Sequence, residues 1–192
     1  MVYAPLFLHS EFSMGLLGSL GKIIVKVDEK YSSDPHIVGK RFEDHVESLF
    51  LQQYFKLIEK THSFDTNKQR YVESSLNPDL IWQYAPTKEK FAVECKFRTT
   101  LNNKDQIVWS NPQQLQRYQE FEKKNRIPVF VVVGLELTFE DESGDEAFDE
   151  TEQYMFCIPL KEAKYPALYP SVFEKYERDY DKTFFWKNGF LY

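Results

Sequence analysis

The segment FAVECKF, residues 91–97, contains the residues of this chain that are best suited to chemistry. Its apolar residues alternate as in a β-strand, so Glu94 and Lys96 share the opposite face. A carboxylate there can ligate a divalent cation, and an ammonium group beside it can orient water or stabilise negative charge. The alternative is that this face meets water, where such a pair contributes less than about 1 kcal/mol.

A second carboxylate precedes this strand by one hairpin. The segment PDLIWQY, 78–84, predicts a strand, and APTKEK, 85–90, predicts the turn that follows it. Adjacent strands can bring Asp79 and Glu94 together, and the main-chain carbonyl of Cys95 is the expected third ligand. Hard oxygen ligands of this kind hold Mg²⁺ or Mn²⁺. Such an ion activates water for phosphodiester hydrolysis, so the pattern indicates a metal-dependent hydrolase.

A helix is predicted over 34–60, upstream of both strands. Asp34 can cap its first turn, and Pro35 suits the first helical position. Glu43 lies at the edge of the helix face that is expected to be buried. That face is a stripe at 3.6-residue spacing, formed by Val38, Phe42, Val46, Leu49 and Gln53.

A second helix is predicted over 112–125, after the strand that carries Glu94 and Lys96. Gln114 and Tyr118 are four residues apart, which places them on one face of this helix. The apolar run 127–137 then predicts a strand buried on both faces of the sheet. The order helix, strands, helix, buried strand indicates a mixed sheet that carries helices.

Weaker patterns predict the remaining elements. They are an N-terminal strand at 22–27, a short strand at 69–74, a strand at 152–160, a helix after Pro170 and a hairpin turn at Asn188-Gly189. Three C-terminal aromatic residues recur at helical spacing: Phe173, Tyr176 and Tyr180. Stacking on nucleic-acid bases is one possible use of these rings, but their spacing favours packing on a buried face.

The sequence PD at 78–79, followed by ECK at 94–96, resembles the signature of the PD-(D/E)xK nuclease superfamily. A glutamate on the first core helix, here Glu43, is a frequent feature of that family. The segment QLQRY, 114–118, is similar to the Gln-x-x-x-Tyr pattern of several branches. The resemblance covers roughly residues 36–137 and implies an α/β, restriction-endonuclease-like fold. We therefore expect an αβββαβ core, a mixed central sheet flanked by helices, with N- and C-terminal additions in a single domain.

The resemblance also implies a role for each candidate residue. Asp79 and Glu94 would bind the metal with the Cys95 carbonyl, and Lys96 would be the catalytic lysine. Glu43 would assist the metal site, and Gln114 and Tyr118 would steady the site or touch the substrate phosphate. Basic residues near the site in sequence are candidate phosphate contacts: Lys88, Lys90, Lys104 and above all Arg98, which shares the strand face of Glu94.

The net charge of −6 at first argues against a nucleic-acid substrate, because phosphates repel carboxylates. However, the segment 140–152 contains eight acidic residues and no Lys or Arg. The rest of the chain holds 24 basic and 22 acidic residues, a balance of +2, so a local basic face remains possible. For the acidic segment itself a solvated hairpin tip is favoured over a partner-binding role.

Several other functional classes find no support in the sequence. Cys95 and Cys157 lie in apolar runs typical of buried thiols, and the four histidines show no metal-ligand spacing with them. The glycine-containing segment 15–23 lacks the pattern of a phosphate-binding loop. There is no apolar stretch of about 20 residues and no convincing signal peptide, so we expect a cytoplasmic protein away from membranes.

These observations predict a Mg²⁺- or Mn²⁺-dependent nuclease that acts on DNA more readily than on RNA. The alternative is a non-catalytic module that binds protein or nucleic acid on the same scaffold, since a fold does not define a function. A third hypothesis is a nuclease subunit that needs a partner chain. A homodimer is implied by the resemblance alone.

Overall fold

The computed structural model describes residues 34–61, 77–139 and 150–192 of this 192-residue chain. Four sequence predictions therefore lie wholly or largely outside the described residues: the strands at 22–27 and 69–74, the glycine segment 15–23 and the acidic segment 140–152, of which only the last three residues are described. None of the described helices is long and apolar enough to cross a membrane.

The described elements are α1 (Pro35–Ser48), β1 (Phe55–Lys60), β2 (Leu80–Tyr84), β3 (Lys90–Arg98), β4 (Ile107–Val108), α2 (Pro112–Asn125), β5 (Val129–Phe139), β6 (Glu150–Pro159), β7 (Ala167–Leu168), α3 (Pro170–Phe173), a 3₁₀ turn (Glu174–Tyr176), β8 (Glu177–Arg178), β9 (Trp186–Lys187) and β10 (Phe190–Leu191).

One six-stranded sheet organises these elements, in the order β1-β2-β3-β5-β6-β8. β3 and β5 are parallel, and the other neighbours are antiparallel. Helix α2 provides the crossover that a parallel pair requires. One apolar core lies between the sheet and α1, and a second lies between the sheet and α2. Apart from the short β4, which belongs to another sheet, the chain order α1-β1-β2-β3-α2-β5 is the predicted αβββαβ core, so the restriction-endonuclease-like fold is confirmed.

The prediction of a single helix over 34–60 is wrong, because α1 ends at Ser48 and a strand occupies Phe55–Lys60. A longer helix would have placed Gln53 on its apolar stripe. The chain instead exposes Gln53 in a turn and buries Phe55 at the start of β1. This strand pairs with β2 and provides the third antiparallel strand of the core.

Three other predicted elements are confirmed, two of them with small shifts at their ends. Strand β2 falls within the predicted range 78–84, α2 matches the prediction residue for residue, and β5 begins two residues later than predicted. The core of β5 is buried on both faces of the sheet, as its run of valines indicates. Cys95 and Cys157 are buried free thiols, also as predicted.

The C-terminal aromatic residues do not share one helix face. The helical turns end at Tyr176, and the chain then joins the sheet as β8. Phe173 is fully buried in the core beside α2, whereas Tyr180 lies on the other side of the sheet and stacks on His45. These rings still serve packing, as predicted. They pack on opposite faces of the sheet, however, and not on the single buried face that their spacing indicated.

The predicted turn at Asn188-Gly189 is present between β9 and β10. Both residues have positive φ, 53° and 79°, as the type I′ hairpin turn requires. Trp186 on this hairpin stacks on Phe91 of β3, with ring centroids 4.6 Å apart. The hairpin therefore covers the sheet face opposite α2.

Candidate active site

The register of β2 and β3 places the candidate carboxylates on one face of the sheet. Leu80 is opposite Val93, so Asp79, one residue before β2, falls opposite Glu94. Side chains alternate along each strand, so Asp79, Glu94 and Lys96 project to the same side. This is the side covered by α2, and the predicted alternation along β3 is confirmed.

Asp79 is held at the end of β2 by the main chain of β3. The Cys95 N–H donates to Oδ2 of Asp79 over 2.8 Å. Burial raises the pKa of Asp79 to about 8, and the negative charge of Glu94 adds to the shift, while Lys96 opposes it. In the absence of a cation Asp79 therefore carries a proton at neutral pH.

Glu94 is almost completely buried, with 1% of its surface exposed. Its Oε1 accepts a hydrogen bond of 2.6 Å from the Tyr118 hydroxyl and also pairs with Lys96 Nζ. Its Oε2 is buried and has no hydrogen-bond partner among the described residues. The alternative of a solvent-facing charge pair is therefore wrong for this strand.

Lys96 is the cation of the site. Burial acts to lower its pKa, but the negative charges of Glu94 and Asp79 outweigh burial, and the pKa of Lys96 is raised. Its ammonium group is therefore retained at neutral pH. The arrangement combines the buried Glu94 side chain, one protonated carboxyl group and one ammonium group on a single sheet face.

Helix α2 brings Tyr118 to Glu94. Asn111 caps the helix by accepting from the Gln114 N–H over 2.9 Å, and Pro112 occupies its first turn. Gln114 lies one turn before Tyr118 on the same helix face. Burial raises the pKa of Tyr118, the charge of Glu94 raises it further, and Arg117 opposes the shift. Tyr118 therefore acts here as a hydrogen-bond donor.

Arg98 is engaged by the main chain rather than open to a ligand. Its Nε donates to the Val108 carbonyl (2.5 Å), Nη1 to the Phe97 carbonyl (2.7 Å) and Nη2 to the Trp109 carbonyl (3.1 Å). These bonds attach the segment before α2 to the end of β3. Arg98 therefore helps to position the helix that carries Tyr118, a role that the sequence did not indicate.

The other basic candidates are exposed, and those of the β2–β3 turn lie away from the carboxylates. Lys88 and Lys90 are exposed at the β2–β3 turn, and Lys104 is exposed in the loop after β3. Lys90 is four residues before Glu94, a separation of about 13 Å along an extended strand. The lysines of the turn are thus at the opposite end of β3 from the site.

Glu43 approaches the site from α1. Its neighbour Phe42 packs against Phe97, with ring centroids 5.5 Å apart, and against Gly134 of β5. A Cβ atom on Gly134 would lie 2.4 Å from the Phe42 ring, so the glycine permits this close approach. Glu43 is buried, and its charge contributes to the raised pKa of Asp79.

Lys60 is a residue near the site that the sequence did not identify. Its Nζ lies 3.2 Å from Glu43 and 3.0 Å from Asp44, and it also pairs with Glu47. Lys40 contacts Glu43 as well, at 3.2 Å. Glu43 is thus held by two lysines. Lys60 was assigned to the end of a helix, and only its true position on β1 brings it to this cluster.

The donor set fits a divalent cation. Within the described ranges, no three His, Cys, Asp or Glu side chains form a metal-binding group. Two carboxylates are present, however, and one carboxylate oxygen of Glu94 is buried without a partner. The N–H and C=O groups of one strand residue point the same way, so the Cys95 carbonyl is directed toward Asp79. Oxygen ligands of this type suit Mg²⁺ or Mn²⁺.

The raised pKa of Asp79 predicts that Mg²⁺ binding depends on pH. A cation needs the carboxylate, so binding below pH 8 releases a proton, and the affinity should rise about tenfold per pH unit until it levels off near 8. In the absence of metal, the free energy of unfolding depends on pH in the opposite direction. In the unfolded chain the Asp79 carboxyl group has its ordinary pKa of 3.8, so the free energy of unfolding falls as pH rises from about 4 to 8.

Thermal unfolding at increasing Mg²⁺ concentrations measures how the Mg²⁺ affinity depends on pH. The titration is repeated between roughly pH 6 and pH 8.5, the interval over which the Asp79 carboxyl group ionises. Asp79→Asn removes the ionisable group and should give a flat pH profile. An affinity that is independent of pH in the wild-type protein would contradict the assignment of Asp79.

No family model matches the chain, and no curated protein sequence matches it. Among solved structures it is similar to the Holliday junction resolvase Hjc of the archaeal hyperthermophile Archaeoglobus fulgidus. The match has 15% sequence identity and a TM-score of 0.46, and it covers 74% of this chain and 97% of that one. The αβββαβ core of the present chain, described above from its own topology, is restriction-endonuclease-like.

Proposed function

We propose that this protein is a metal-dependent nuclease that hydrolyses phosphodiester bonds of DNA. One observation supports this function above all others: a fully buried glutamate, Glu94, has a free carboxylate oxygen beside a second carboxyl group and a lysine. A buried carboxylate oxygen that has lost water without gaining a donor costs free energy, so an arrangement of this kind is expected where a cation binds.

Each group has a defined task in this proposal. Asp79, Glu94 and the Cys95 carbonyl would hold Mg²⁺ or Mn²⁺, which when bound lowers the pKa of water and stabilises charge on phosphate oxygens. Lys96 keeps its proton and lies against Glu94, so its ammonium group can orient the attacking water or neutralise the developing negative charge.

Tyr118 and Glu43 would act on this site from the two helices. The Tyr118 hydroxyl donates to Glu94 Oε1 and so fixes the direction in which Oε2 points. A hydrogen bond of this kind to a metal ligand preserves its orientation. Glu43, held by Lys40 and Lys60, contributes negative charge near Asp79 and assists cation binding without direct ligation.

A cleavage assay tests the proposal. The purified protein is incubated with labelled single-stranded, duplex and branched DNA, and with RNA, in Mg²⁺, in Mn²⁺ and in EDTA. We expect cleavage of at least one DNA in the presence of metal and none in EDTA. Equal cleavage in EDTA would overturn the metal mechanism.

A Mn²⁺ titration followed by thermal unfolding separates the remaining hypotheses. Stabilisation by Mn²⁺ without cleavage of any substrate would indicate a nuclease subunit that needs a partner chain. Binding of nucleic acid with no response to Mn²⁺ would indicate a non-catalytic binding module. Stabilisation together with metal-dependent cleavage supports the proposed activity.

A further inference from the structure

Arg117 on α2 has an unusual environment for an arginine. The residue is partly buried, and its Nε atom is shielded from solvent without a hydrogen-bond acceptor among the described residues. No described residue forms a hydrogen bond or an ion pair with its guanidinium group. A guanidinium donor that has lost water without gaining an acceptor is unfavourable, and an anionic ligand would remove this cost.

This arginine is adjacent to the candidate active site. It precedes Tyr118, whose hydroxyl donates to Glu94, and its positive charge acts on that hydroxyl. Gln114 lies three residues earlier, so the two side chains are neighbours on the helix surface. The Gln114 side chain is also partly buried, and no described residue forms a hydrogen bond with its amide group. Arg117 and Gln114 therefore form a polar strip with unused donors on the helix that carries Tyr118.

The other cations of the site are already engaged. Lys96 pairs with Glu94, and Arg98 donates to three main-chain carbonyls. Lys40 and Lys60 pair with carboxylates of α1. Among the residues described near the site, Arg117 is a cation whose guanidinium group has no acceptor.

We propose that Arg117, with Gln114 beside it, is the contact for a backbone phosphate of the nucleic-acid substrate, a role that rests on the proposed nuclease function. The planar guanidinium group offers two parallel N–H donors that match two phosphate oxygens. Contact with a phosphate next to the scissile bond would hold the strand against the carboxylates. Arg98, the contact favoured by the sequence, instead supports the helix that carries this strip.

DNA binding in EDTA tests the role of Arg117 independently of cleavage. The dissociation constant for a fluorescein-labelled duplex and for a labelled single strand is measured by anisotropy at several salt concentrations, roughly 50 to 200 mM. Arg117→Gln should weaken binding about tenfold or more and reduce the slope of log K against log salt by about one unit. Arg117→Lys keeps the charge and should restore most of the slope.

Lys123→Gln is the matched control, because Lys123 is an exposed cation on the same helix. Its salt dependence should equal that of the wild-type protein. An unchanged slope in Arg117→Gln, an equal reduction in Lys123→Gln, or a wild-type protein that binds neither DNA would overturn the inference. Circular dichroism and thermal unfolding verify that each variant is folded.

The two proposals fail in different ways. If binding depends on Arg117 but no metal supports cleavage, the nuclease function is wrong and the phosphate contact stands. If the wild-type protein cleaves DNA and Arg117→Gln binds it as tightly as the wild type does, the phosphate contact is wrong and the nuclease function stands.

Discussion

Lys96→Met is expected to reduce DNA cleavage by at least about 10²- to 10³-fold, the cost of removing one preorganised group that stabilises transition-state charge. Methionine keeps an unbranched stem of similar length but has no ammonium group. The loss should appear in the rate of the chemical step measured under single-turnover conditions with saturating protein, because Lys96 is not a metal ligand in this proposal.

The same variant should show a specific pattern of stability. In EDTA it leaves Glu94 buried without its ammonium partner, so the free energy of unfolding should fall by up to about 3 kcal/mol. Added Mn²⁺ should recover this loss, since the cation supplies the missing positive charge. Lys123→Met, an exposed lysine on α2, should change neither the rate nor the stability by a comparable amount. A variant that cleaves normally would exclude Lys96 from the mechanism.

Glu94→Gln is expected to abolish both cleavage and the stabilisation of the protein by Mn²⁺. The amide keeps the shape of the side chain and can still accept from the Tyr118 hydroxyl, but it no longer carries the charge that attracts the cation. Supporting residues around a metal ligand typically contribute 10- to 100-fold in affinity, so the loss of the ligand itself should exceed about 100-fold.

Two variants calibrate this result. Glu120→Gln changes an exposed carboxylate of α2 and should respond to Mn²⁺ as the wild-type protein does. Tyr118→Phe removes the hydrogen bond to Glu94 but keeps the ligand, so its affinity for Mn²⁺ should fall by an intermediate factor of about 10 to 100. Full stabilisation of Glu94→Gln by Mn²⁺ would place the cation elsewhere and would remove the basis of the proposed function.

Arg98 and Arg117 illustrate a limit of reasoning from strand and helix periodicity. The alternation of β3 correctly places Arg98 on the face of Glu94, but two of the three main-chain carbonyls that occupy its guanidinium group belong to Val108 of β4 and to Trp109, about ten residues later. Nothing in the sequence around Arg117 indicates a ligand contact, because the helical pattern only places this residue beside a buried face. Neighbours from distant segments decide which arginine has free donors.

The helix α1 and the strand β1 show a second limit. Up to Ser48 the period of 3.6 residues is sustained, and Asp34 and Pro35 mark the start of α1 as expected. The segment after it remains largely apolar, so a helical pattern and a strand pattern are both compatible with it at short range. Pairing with β2 selects the strand, and this pairing moves Lys60 to the carboxylates of α1.

The sequence alone determined the strands and the helix that have strong, regular patterns, and the order of these elements. It also identified the pair of carboxylates with a nearby lysine. These features follow from local periodicity and chain connectivity, which a single sequence records directly. The tertiary structure decided the burial of Glu94, the raised pKa of Asp79 and the partners of the basic residues. These properties arise because segments far apart in the chain exclude water from one side of the sheet, and no local pattern encodes that exclusion.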